Sequence, residues 1–110
     1  MDSDAQTALS AALDRMWAQF LPQMHERVDV LEAAAQAFAA GPLSIDRQEQ
    51  AQAAAHKLAG TLGTFGLTRG TVLARELELI YSQQNEPEED LAERLACTAA
   101  ELRTIISTRK

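Results

Sequence analysis

Hydrophobic residues recur every three or four positions along most of the chain, a spacing that places them on one face of an α-helix. The first such stripe consists of Leu9, Leu13, Trp17, Phe20, Met24, Val28, Leu31, Ala35 and Phe38. Pro22 interrupts it, and a proline inside a helix removes a hydrogen bond and clashes with the preceding turn. The pattern therefore predicts two helices or one bent helix, with the break near residues 19–22 and the end at Gly41-Pro42.

Capping residues mark the helices that follow. Asp46 with Glu49 matches a capping box, which predicts a second helix over residues 46–64. Gly66 is predicted to end this helix, because glycine readily adopts the left-handed conformation of a C-cap. Thr68 is then predicted to cap a third helix.

A fourth helix is predicted to start at Asn85-Glu86-Pro87, since asparagine caps helices and proline suits an early helical position. No segment alternates as a strand would. We therefore expect an all-α fold with one domain over residues 1–110: an antiparallel four-helix bundle with an additional or kinked N-terminal helical segment. Its core is expected to contain Leu31, Phe38, Leu58, Leu62, Leu73, Leu77, Leu95 and Leu102.

Charge and composition exclude several classes of function. The chain has 110 residues and a formal net charge of −6. Because duplex binding needs clustered Lys and Arg, we expect no nucleic-acid partner. No apolar run approaches about 18 residues, so no membrane span is expected, and the polar start MDSDAQTALS is unlike a secretory signal. We therefore expect a cytoplasmic protein in which the single Cys97 is a small packed residue.

His56 stands out in the second predicted helix because it points away from the core. At about 100° per residue, Leu58 and Ala54 lie about 160° from His56 on the helical wheel. Gly60 lies one turn along on the outer face, where the missing side chain would let another protein approach the imidazole. Helix–helix packing or fraying towards Gly66 would also explain a glycine there. The residues predicted to form a binding surface around the histidine are Glu49, Gln52, Ala53, Ala59, Gly60 and Gly63.

An exposed histidine offers a nitrogen nucleophile that is substantially neutral near pH 7. It can attack an acyl phosphate and later pass the phosphoryl group on. The added negative charge favours a nearby cation, for which Lys57 is the first candidate and Arg69 the second. The alternative for each is an ordinary solvated charge. His25 and His56 are the only histidines and do not have a metal-ligand spacing, so neither a metal nor a cofactor is expected.

The segment AAHKLAGTLGTFGL, residues 54–67, resembles the phosphorylation motif of histidine-containing phosphotransfer (HPt) domains. The matching positions are His56, Leu58, Gly60 and Gly66. The family often has a lysine three positions after the histidine, but here that position is Ala59 and the lysine is Lys57. The resemblance implies a four-helix bundle with an exposed phosphoacceptor histidine, and it leaves the phosphate-stabilising residue to be found among the cations of this chain.

The resemblance further implies a carrier in a two-component phosphorelay. His56 would accept a phosphoryl group from a receiver aspartate and pass it to another receiver, without kinase or ATPase activity of the domain itself, and whether the chain counts as an enzyme stays open. The implied partners are response-regulator receiver domains and a hybrid histidine kinase, and we expect a monomer. The alternative is a non-catalytic helical interaction module, either a scaffold or a receiver-binding decoy. A metal or cofactor bundle ranks last, because the stripes place no ionisable residues in facing pairs.

Overall fold

The structure is a computed structural model that describes residues 2–83 and 90–109. This part of the chain forms four α-helices and no strand. The helices are α1 (Asp2–Ala40), α2 (Ile45–Thr64), α3 (Thr68–Ser82) and α4 (Leu91–Thr108). The all-α helical bundle predicted from the periodicity is therefore confirmed.

The first helix is continuous through Pro22, so of the two predicted alternatives, two helices or one bent helix, the chain forms a single helix. Pro22 is exposed, and so is Ala18, whose carbonyl loses its helical partner. Solvent can hydrogen-bond that carbonyl, which lets the helix tolerate the proline. The predicted stop at Gly41-Pro42 is confirmed, since α1 ends at Ala40.

The early part of the first stripe does not belong to the core. Leu9 is 62% exposed and Phe20 is 37% exposed, whereas Trp17 is buried. The reason is length: α1 has 39 residues and α2 has 20. The first turns of α1 therefore extend past the bundle, where no neighbouring helix can cover Leu9.

The core lies between two helix pairs, since α2 packs mainly against α3 and α1 packs mainly against α4. All eight predicted core residues are buried. The largest side chains that are fully buried include Met24, Leu31, Leu58, Leu62, Leu77, Leu95, Leu102 and Ile106. Burying so many long aliphatic side chains is the main stabilising contribution to such a bundle, at roughly 1.5–3 kcal/mol each.

The ends of α2 are set by local hydrogen bonds. Ser44 caps its start by accepting a hydrogen bond from the Arg47 backbone N–H at 3.2 Å, so the capping box predicted at Asp46 is wrong by two residues. At the other end Gly66 has φ +72°. The Leu67 N–H donates to the Leu62 carbonyl and the Gly66 N–H donates to the Gly63 carbonyl, which is a Schellman motif. This tight end turns the chain directly into α3.

Two other local predictions, for Thr68 and Cys97, are wrong. Thr68 is the first residue of α3 rather than its cap, and no side chain caps this helix. Cys97 is exposed on α4 rather than packed, because it lies one position from the buried stripe of that helix. The start predicted at Asn85-Glu86-Pro87 lies outside the described residues.

Candidate functional site

His56 lies near the middle of α2 with 71% of its side chain exposed. Leu58, two positions along, is fully buried in the core. The outward orientation predicted from the helical wheel is therefore confirmed. Because α2 is a regular helix that packs on the core opposite His56, the backbone that carries the imidazole is rigid.

A carboxylate on α3 fixes the imidazole from one side. The Nδ1 atom of His56 lies 2.6 Å from Oε2 of Glu78, whose side chain is 26% exposed. An ionised carboxylate can only accept hydrogen bonds, so Nδ1 carries the hydrogen. In neutral imidazole the other nitrogen, Nε2, then holds a free lone pair. The site therefore presents Nε2 as its nucleophile.

A shallow depression surrounds the histidine and contains several of the predicted surface residues. It is lined by Glu49, Gln52, Ala53, His56, Lys57 and Glu78. Gly60 is exposed on the same helix, and a β-carbon added there would meet no atom within 4 Å. A β-carbon added at Gly63 would meet Thr71 Oγ1 of α3 at 3.7 Å, an ordinary packing distance. The space beside the imidazole is therefore open at Gly60 and bounded by α3 at Gly63.

Ala59 does not belong to this surface. It is only 2% exposed, although the sequence placed it on the outer face. Ala59 lies about 60° from His56 on the helical wheel, on the side where α3 packs against α2. The buried arc of α2 is wider than the apolar stripe alone indicates, because α1 and α3 cover it from two directions. A lysine at this position would lie in the α2–α3 interface.

Arg69 is not brought to the histidine. Its Nε donates to Glu101 Oε2 at 2.7 Å and its Nη2 donates to Oε1 at 3.2 Å. This hydrogen-bonded ion pair raises the pKa of Arg69 and lowers that of Glu101. Arg69 precedes Glu78 by nine residues on α3, or about 13 Å along the helix axis. Arg69 therefore pairs with a residue of α4, whereas Lys57 lines the depression around His56.

A second depression continues from this site across the groove between α1 and α2. Its lining includes Met16, Phe20, Arg27, Lys57 and Gly60. Met16 is 39% exposed, so an apolar patch lies beside the histidine surface. Such a patch next to polar residues is typical of a protein-binding surface.

Sequence reasoning missed Glu78 and Arg27. Both lie on helices other than α2, and periodicity within one helix does not determine which residue of a neighbouring helix faces it. For Glu78 the deciding fact is the register of α3 against α2. The acidic character of α3 gives no sign of this contact, because Glu76 and Glu78 are equally acidic in sequence.

Within residues 2–83 and 90–109, no group of three or more His, Cys, Asp or Glu side chains is placed to hold a metal ion. In the same part of the chain no helix is both long and apolar enough to span a membrane.

Comparison with known proteins gives two matches. The family model of the Hpt domain matches residues 15–108. Protein RcaC of Microchaete diplosiphon is 41% identical over 76 residues, which make up 69% of this chain and 12% of RcaC. The chain therefore corresponds to a small part of that relative. No solved structure matches the chain.

Proposed function

Since the chain belongs to the Hpt domain family and is thus a phosphotransfer domain of a two-component phosphorelay, we propose that His56 is its phosphoacceptor. The observation that supports this assignment is the hydrogen bond between His56 Nδ1 and Glu78 at 2.6 Å. It leaves Nε2 unprotonated and directed towards solvent, where an incoming phosphoryl group can be attacked.

The proposed reaction is a reversible transfer between two side chains. The lone pair of His56 Nε2 forms a bond to phosphorus while the bond between phosphorus and the aspartyl oxygen of a receiver domain breaks. The aspartate leaves as a carboxylate, and Glu78 balances the positive charge that develops on the imidazole. In the reverse step the aspartate of a second receiver attacks the same phosphorus atom and releases His56.

The depression around His56 is the surface on which we place the receiver. Ala53 and Gly60 are small and exposed, so the receiver backbone can approach the imidazole closely. Glu49 and Gln52 at the edge supply polar contacts that set the register. Receiver domains and a hybrid histidine kinase are the partners that we propose, with the domain acting as a cytoplasmic monomer.

The test is transfer from a receiver phosphorylated with a radioactive label. The wild-type domain should acquire label that is stable to base and labile to acid, as expected for a phosphoramidate bond. His56→Gln should acquire none. His25→Gln is the matched control, because His25 is the only other histidine and lies on α1, and it should label normally.

Equal labelling of His56→Gln and wild type would contradict the assignment. Stable binding of receivers by both proteins without any transfer would favour the non-catalytic interaction module instead. Gel separation of the two proteins after brief incubation distinguishes these results.

A further inference from the structure

A phosphoryl group on His56 would meet an acidic environment. It brings a charge between about −1.5 and −2 at neutral pH, and the chain already has a net charge of −6. Glu49 and Glu78 line the same depression as His56. Phosphoryl oxygens in such a setting are stabilised by charge-assisted hydrogen bonds from cations. The position where the family often has a lysine is the buried Ala59, so the cation must come from elsewhere.

Arg27 on α1 is placed to supply that charge. It is half-buried in the groove between α1 and α2. The groove holds the depression described above and a further one on α1 and α2 that also includes Val30 and Ala53. Both contain Arg27 together with Lys57, and Lys57 also lines the depression of His56. Among the described side chains, neither Arg27 nor Lys57 has an acidic partner within ion-pair distance.

Among the described arginines, Arg27 is half-buried without an ion-pair partner, whereas the other arginines that lack one, Arg15, Arg47, Arg75 and Arg94, are exposed. Arg69 pairs with Glu101, Arg103 pairs with Asp29 and Glu32, and Arg109 pairs with Asp14. An arginine held half-buried without a carboxylate keeps its full charge and its donors available for another anion.

The surface between Arg27 and His56 is formed by small residues. Ala53 is shared by the depression that contains Arg27 and the one that contains His56. Gly60 lies one turn beyond His56 with open space above it. The long flexible stem of Arg27 therefore has small residues, rather than bulky ones, beside it in the direction of His56.

We propose that Arg27 and Lys57 together bind the phosphoryl oxygens of phosphorylated His56, with Arg27 reaching over from α1. This inference rests on the proposed phosphoacceptor role of His56. The guanidinium of Arg27 presents two parallel N–H donors that match two phosphoryl oxygens, whereas Lys57 contributes a single compact charge. The charged groups facing the phosphoryl group are then Arg27 with Glu26 on α1, Lys57 with Glu49 on α2, and Glu78 on α3.

The test uses phosphoramidate, a small donor that needs no receiver. Its P–N bond breaks and ammonia leaves as His56 Nε2 bonds to phosphorus. The pKa of the phosphoryl group is then followed by ³¹P NMR across neutral pH. A cation in contact with the oxygens favours the dianion, so Arg27→Gln should raise this pKa by roughly 0.5 to 1, the modest size reflecting an exposed site.

Several variants make the result specific to the charge at residue 27. Arg27→Lys should keep most of the effect. Arg27→Met keeps the apolar stem and should behave like Arg27→Gln. Arg94→Gln is the control, since Arg94 is an exposed arginine on α4 and lines none of the three depressions. It should leave the phosphoryl pKa unchanged.

A second measurement separates phosphoryl binding from receiver docking. Loss of a contact to the phosphoryl group should shift the transfer equilibrium towards the phosphorylated receiver by about tenfold, the usual worth of one charge-assisted hydrogen bond. Loss of a docking contact alone slows forward and reverse transfer alike and leaves the equilibrium unchanged.

The two proposals fail in different ways. If wild type labels on His56 but Arg27→Gln leaves both the phosphoryl pKa and the equilibrium unchanged, the role of Arg27 is wrong and that of His56 stands. If wild type takes no phosphoryl group from phosphoramidate or from any receiver, the proposed function falls, and the role of Arg27 falls with it.

Discussion

At the scale of single residues, the Glu78 carboxylate decides which nitrogen of His56 is reactive. A free imidazole exchanges its hydrogen between Nδ1 and Nε2, and only the nitrogen without hydrogen is nucleophilic. The 2.6 Å contact to Glu78 selects the form with hydrogen on Nδ1. It also keeps the ring in one orientation, which lowers the entropy cost of reaching the transferring group.

Replacing Glu78 with alanine should slow phosphoryl acceptance by about tenfold, an effect typical of losing one charge-assisted hydrogen bond. It should also leave a mixture of the two imidazole tautomers, which ¹H–¹⁵N NMR of the histidine ring resolves. Glu76→Ala is the matched control, because Glu76 is an exposed glutamate of the same helix that lines none of the depressions around His56 and does not hydrogen-bond to the ring. A normal rate and an unchanged tautomer in Glu78→Ala would show that the ring is held by its packing alone.

At the scale of helices, two glycines of the α2–α3 pair occupy opposite environments. Gly60 on α2 faces open space. Gly70 on α3 is buried, and a β-carbon there would meet Leu62 Cδ1 at 2.9 Å and Ile105 Cγ2 at 3.4 Å. Leu62 is itself fully buried and cannot move aside freely. Gly70 therefore permits the close approach of α3 to its neighbours, whereas Gly60 serves no packing purpose.

The same substitution should have opposite effects on stability at these two positions. Gly60→Ala should raise the free energy of unfolding by about 0.5–1 kcal/mol, because alanine is the better helix former. Gly70→Ala should lower it by about 1 kcal/mol, since overpacking outweighs the gain in helix propensity. Urea unfolding followed by circular dichroism measures both values. A stabilised Gly70→Ala would mean that Leu62 relaxes without cost.

At the scale of the whole molecule, polar contacts tie the long helix α1 to α4. Arg103 donates from Nε to both carboxylate oxygens of Glu32 at 3.1 Å and from Nη2 to Asp29. These hydrogen bonds raise the pKa of Arg103 further above the physiological range. At one end of the bundle, the Arg109 guanidinium lies over the ring of Trp17 at 4.8 Å. These contacts hold α1 against α4, and α1 in turn supports α2, the helix that carries His56.

Arg103→Met should lower the free energy of unfolding by about 1 kcal/mol, because it breaks a network and leaves two carboxylates close together. The loss should shrink at high salt, where their repulsion is screened. Arg69→Met is the comparison, since it removes one exposed pair on α3 and α4, and it should cause no measurable change. Equal losses in the two variants would show that the network adds nothing beyond a surface ion pair.

Much of the fold and part of the site follow from the sequence alone. The number and type of the helices, the eight core residues and the outward direction of His56 all depend on the 3.6-residue repeat, which is a local property of one helix. Gly66 is likewise identified locally, because few residues other than glycine adopt positive φ. These features need no knowledge of how the helices meet.

The tertiary structure decided every feature that depends on which residues of a neighbouring helix a side chain meets. The lengths of the partner helices left Leu9 exposed, and the approach of α3 buried Ala59. Register between helices placed Glu78 at His56 and directed Arg69 to Glu101. The helical repeat fixes the direction of a side chain from its own axis, but the crossing and register of packed helices arise from the summed contacts of many side chains. The sequence therefore determined which histidine faces outward, and only the packing of α1 and α3 on α2 determined which charges surround it.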